Sequence, residues 1–86
     1  MEGLTEGRLV HFVMPSHEHR PAIVVRVWDQ LSGMVNLVVF TDGSNDVKKS
    51  EESYSRDPSP VLTIWETSRT YSEDPQPFTW HWIEGA

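Results

Sequence analysis

A chain of 86 residues suits one small domain, which buries only ~60–65% of its unfolded surface and gains from association with further copies. The absence of cysteine excludes disulfide staples, thiolate nucleophiles and zinc-thiolate sites, and favours an intracellular protein. A net charge of -6 counts against binding a nucleic-acid polymer, although a few arginines and backbone amides can still hold a small anion.

The first residues, "MEGLTEGR", carry acids and lack the basic-then-apolar pattern of a signal peptide, and no later apolar run is long enough to span a bilayer. "RLVHFVM" (Arg8 to Met14) has strand composition and is closed by Pro15. "PSHEHRP" (Pro15 to Pro21) is bracketed by prolines and predicts a loop or edge excursion. "AIVVRVW" (Ala22 to Trp28) is the strongest strand, with Ile23, Val25 and Val27 on one face and Val24, Arg26 and Trp28 on the other. "DQLSG" is turn chemistry, and "MVNLVVF" (Met34 to Phe40) returns as the second arm of a hairpin, with Val35, Leu37 and Val39 facing one way and Asn36, Val38 and Phe40 the other. A long polar loop over residues 41–60, expected to be partly mobile, separates this hairpin from "VLTIW" (Val61 to Trp65). A second polar connection (Glu66 to Phe78) leads to "TWHWI".

About five strands without a helical apolar stripe predict an all-β single domain over 1–86: a small SH3-like antiparallel barrel or a strongly curved sheet. An open sheet completed by a second copy is the alternative. Both faces of the central hairpin are mostly apolar, so barrel closure or a subunit interface is expected to cover the second. The four tryptophans are enough to build either core or stacking surface. In "TWHWIE", Trp80 and Trp82 fall on one face of an extended strand and His81 on the other.

The candidate chemistry is sparse. "HEH" has the His-x-His spacing that, on an extended segment, points His17 and His19 to one side, where they can chelate a transition metal with His11 or His81. No second dense ligand cluster supports this, and no metal or cofactor is assigned. "DGSND" (Asp42 to Asp46) opens like a calcium loop but has Val47 where glycine is required and Ser53 where the bidentate acid belongs. Phosphate loops, nucleophile elbows and triad spacings are all missing, so a non-enzymatic binding function is expected. Polar residues set among apolar strand residues (His11, Arg20, Arg26, Asn36 and His81), with tryptophans nearby, have the chemistry that a nucleobase and a phosphate require.

"GRLVHFVMPSHEHRPAIVVRVWD", "VNLVVFTDGSND" and "YSEDPQPFTWHWIE", in that order, resemble a group of small proteins encoded by tailed phages and prophages. The matching pattern is Gly-Arg-aliphatic-Val-His-aromatic, His-Arg-Pro-Ala, Val-Asn-Leu-x-Val-Phe-x-Asp-Gly and Thr-Trp-His-Trp, and it spans most of the chain apart from residues 47–69. The resemblance implies a protein of the infected bacterial cytoplasm. By analogy of size and setting with phage sponges, it implies a homo-oligomer that sequesters a small anionic nucleotide signal of bacterial immunity, such as a cyclic oligonucleotide or a cyclic ADP-ribose. Within the matched motifs, the residues able to touch such a ligand are His11, His19, Arg20, Trp28, Asp42, Asn45, Asp46, Tyr71, Trp80, His81 and Trp82. The tryptophans would stack on the base, and Arg20 and the histidines would contact phosphate. A protein-interaction module that docks a host or phage partner through its apolar face is the competing expectation.

Overall fold

The computed structural model describes residues 1–42 and 63–84; Asn45, Asp46 and most of the long polar loop lie outside the described residues. Five strands form one sheet: β1 (Leu9–Val13), β2 (His19–Asp29), β3 (Met34–Phe40), β4 (Thr63–Arg69) and β5 (Trp80–His81). Their order is β4-β3-β2-β1-β5, and every neighbouring pair is antiparallel. No helix occurs among the described residues, and none of them forms a helix long and apolar enough to cross a membrane.

The all-β, five-strand expectation holds, but the named strands form an open sheet, with β4 and β5 at its edges. The chain beyond β4 partly joins those edges. Trp80 donates its amide to Thr70 (3.2 Å), and Ser72 donates to Trp80 (3.0 Å), forming an isolated parallel bridge between Tyr71 and Trp80. Leu4, Val10, Phe12, Ala22, Val24, Val35, Leu37, Val39 and Trp80 lie on the enclosed side and make the core. Alternation along β1 and β3 produces this face directly, because burial drives every second residue inward.

Two expectations need correction. The segment before Pro21 is not all loop, since β2 begins at His19 and pairs His19, Arg20 and Pro21 with Val13, Phe12 and His11. Proline is tolerated there because the β2 to β3 register starts at Ala22 opposite Val39, so Pro21 lies beyond the end of that ladder. Strict alternation along β2 fails as well. Register shifts between Val24 and Arg26 and between Val27 and Asp29 turn Arg26 towards Asn36 and return Val27 to a half-buried place against the core. Within the single chain the second face keeps Leu9, Val25, Trp28, Phe40 and Trp65 exposed, so closure of the sheet does not cover it.

Gly33 shows how tightly the hairpin turn meets the core. Its φ is +74°, and a Cβ there would come 2.8 Å from the Tyr71 Cβ. Its carbonyl accepts a 2.7 Å hydrogen bond from the buried Trp80 indole, so the turn and β5 fix each other.

Candidate metal centre

The outer face of the sheet at the β1 and β5 edge gathers three of the four histidines. His11 in mid-β1 stands directly opposite His81 of β5. It also stands opposite Pro21, two residues from His19 on the same face of β2, which makes His11 and His19 diagonal neighbours. Backbone register alone therefore brings the rings together, with centroids 5.8 Å apart for His11 and His81, 6.1 Å for His11 and His19, and 4.7 Å for His19 and His81.

Glu84, in the turn after β5, completes the group. Its Oε1 lies 2.7 Å from His11 Nδ1, and its Oε2 lies 2.9 Å from His19 Nδ1 and 2.5 Å from His81 Nε2. A carboxylate only accepts hydrogen bonds, so His11 Nδ1 and His81 Nε2 are the donors in their contacts with Glu84. The carboxyl of Glu84 is lowered to about 2, first by the hydrogen bond from its own backbone amide and then, against an opposing effect of burial, by hydrogen bonds from His11 and His81. It is thus ionised throughout the neutral range.

One donor atom from each of His11, His19, His81 and Glu84 falls within 4.8 Å of all the others. A tetrahedral zinc with bonds of about 2.0–2.1 Å holds its donors about 3.4 Å apart, so small side-chain rotations would close the set around one ion. Imidazole and carboxylate together suit zinc and its neighbours in the first transition row rather than calcium or magnesium. The three imidazoles are carried by three adjacent strands and are half-buried or buried, whereas the Glu84 side chain is 52% exposed. Among the described residues the buried His81 Nδ1 has no hydrogen-bond partner, an arrangement that costs stability.

The remaining residues named from sequence fall elsewhere. Trp80 is fully buried in the core, where it cannot stack on a ligand. Trp82 packs edge-on against Trp80 at 5.0 Å, with the Arg8 guanidinium 5.0 Å from its ring and Tyr71 6.4 Å away. The two indoles do share a face, and His81 points away from them to the opposite one. Arg20 is in register with Phe12 and donates to the Glu18 carboxylate at 2.9 Å. Trp28 lies at the far end of β2, with its indole N–H on Asn36 Oδ1 (2.9 Å) and Arg26 3.9 Å over its ring. Asp42 follows β3, and Asn45 and Asp46 are outside the described residues.

His17 does not join His19. It sits in the turn before β2 with φ of 72°, so the extended geometry that would pair a His-x-His motif is absent. Glu84 was not singled out from sequence, although the spacing His81-x-x-Glu84 in "HWIE" carried the signal. A five-stranded antiparallel sheet with three histidines and one carboxylate converging on its outer face defines a small all-β protein with a candidate metal centre. No protein-family model, curated protein or solved structure matches the chain, so this description stands on the chain's own geometry.

Proposed function

We propose that this chain is a non-enzymatic binding protein whose functional centre is a divalent transition-metal site formed by His11, His19, His81 and Glu84. The observation that carries this reading is the convergence of four donor atoms from β1, β2, β5 and the following turn within 4.8 Å. Zinc is the first candidate, because it accepts imidazole and carboxylate in a four-donor shell without redox chemistry. Held there, the ion would fasten the two-residue β5 and the turn beyond it to the sheet.

Isothermal titration of chelator-stripped protein with zinc tests the reading. One ion per chain is expected, with the heat lost in the His11→Ala and His81→Ala variants. At free zinc about 100 times Kd, binding adds ~2.7 kcal/mol of stability, which raises Tm by about 10–20 °C in a protein of this size. Absence of zinc uptake by the folded protein would contradict the proposal.

In this reading the fold is a strongly curved SH3-like sheet whose curl is completed through the bridge between Tyr71 and Trp80. The wider role suggested by the phage-like motifs, sequestration of a small anionic nucleotide signal by a homo-oligomer, is proposed with the ion held by the histidines as its anion-facing element. A second reading, docking of a partner protein, draws support from the exposed Leu9, Phe40 and Trp65. Capture of a defined protein that survives mutation of all three histidines but is lost in Trp65→Ser would favour it.

A further inference from the structure

Resting on the metal-centre reading, we infer that the metal-loaded protein binds a small organic anion, a phosphate or carboxylate carried on a flat apolar ring, with the anion on the metal and the ring on the adjoining sheet face. Two independent features lead there. The first is the asymmetry of the donor set. Three donors belong to imidazoles fixed by strand register, while the fourth belongs to Glu84 in a turn, half exposed. A divalent ion held from the sheet side by three neutral imidazoles and met by one carboxylate keeps a net charge of +1. Its outward hemisphere faces solvent on the Glu84 side. Zinc held by these four donors takes a further ligand only by expanding to five-coordination, and metals that prefer six ligands leave two positions open.

The second feature is the surface beside the ion. Leu9 and His11 share one face of β1, and Leu9 begins a cross-strand row that runs through Ile23 and Val38 to Trp65. The ends of this row are 46% and 54% exposed, at Leu9 and Trp65 respectively. Adjacent strands are about 4.8 Å apart, so the row is about 14 Å wide, and it starts about 7 Å from His11 along the strand. The protein thus places a cationic centre beside an apolar cross-strand row that begins at Leu9 and Ile23. An anion without a ring would use only the metal, and a neutral ring would use only the row.

The test uses the full chain loaded with cobalt(II), whose visible absorption reports coordination number, titrated with inorganic phosphate, phenyl phosphate and phenol. Phenyl phosphate is expected to change the cobalt spectrum and to bind about tenfold more tightly than phosphate, as burial of its ring against Leu9 and Ile23 permits. Phenol should leave the spectrum unchanged. Leu9→Ser, checked for folding by circular dichroism, should remove most of the tenfold preference while leaving cobalt and inorganic phosphate binding intact, whereas Trp65→Ser, about 16 Å from His11 across three strand spacings, should leave the preference unchanged. A cobalt spectrum insensitive to both anions overturns the inference and leaves the metal centre standing, as does equal affinity for the two. Failure to bind cobalt at all overturns the metal-centre reading and this inference with it.

Discussion

Replacement of His81 by phenylalanine separates a side chain kept for stability from one kept for a ligand. The ring is buried, its Nδ1 has no partner among the described residues, and its Nε2 faces the half-exposed Glu84 carboxylate. A buried polar atom without a partner costs ~1–3 kcal/mol. Loss of the contact to Glu84 costs about 0–1 kcal/mol, because the carboxylate is solvated and keeps His11 and His19 as partners. In chelator-treated protein, His81→Phe should therefore be more stable than the parent by about 1 kcal/mol, or ~4–8 °C in Tm. With zinc present the order reverses, since the variant loses a ligand and with it most of the metal-dependent gain. Paired thermal melts in chelator and in zinc read both signs. If the variant is clearly destabilised in chelator, His81 stabilises the apo fold and the reasoning fails.

Other consequences follow from single contacts. Trp80→Ala removes a fully buried indole and should cost ~3–5 kcal/mol, enough to unfold much of the population, as read by urea titration. Arg69→Ala strips the buried Glu66 of a partner 2.7 Å away and should cost about 2–4 kcal/mol, with Glu66→Gln on the Arg69→Ala background recovering part of the loss. Asn36→Ala leaves the Trp28 indole and the Ser68 amide without their shared acceptor and should cost ~1–3 kcal/mol, with a shift in tryptophan emission. Glu84 has a carboxyl lowered from 4.5 to about 2, so in metal-free protein its stabilising contribution is fully present above pH 4.5 and is lost as pH falls towards 2. Acid titrations should show this loss in the parent and not in Glu84→Gln.

Much of the fold was legible because "RLVHFVM" and "MVNLVVF" are short apolar, β-branched runs bounded by turn signals, and Val35, Leu37 and Val39, placed on one face of the second, are buried in the core. β2 was less legible. Its bulges shift the facing of Arg26 and Val27 without a glycine to mark them, and its start at His19 crosses a proline that the end of the β3 ladder makes harmless. The site was half legible. His11, His19 and His81 could each be named, but their meeting depends on β1 pairing with both β2 and β5, a non-local register that spacing along the chain does not report. Spacing instead favoured the local pair His17 and His19, which the turn at His17 separates. Trp80 and Trp82 were correctly placed on one face, yet burial of Trp80 and the packing of Trp82 on Arg8 make that face part of the core and its border.

The most direct measurement is native mass spectrometry of the full chain, purified without chelator, alongside a variant in which His11, His19 and His81 are all alanine. The account predicts a parent carrying one transition-metal ion per chain, lost on chelation and regained on adding zinc, and a folded triple variant that takes none. A parent that remains metal-free in stoichiometric zinc, or a triple variant that loads as well as the parent, would contradict it.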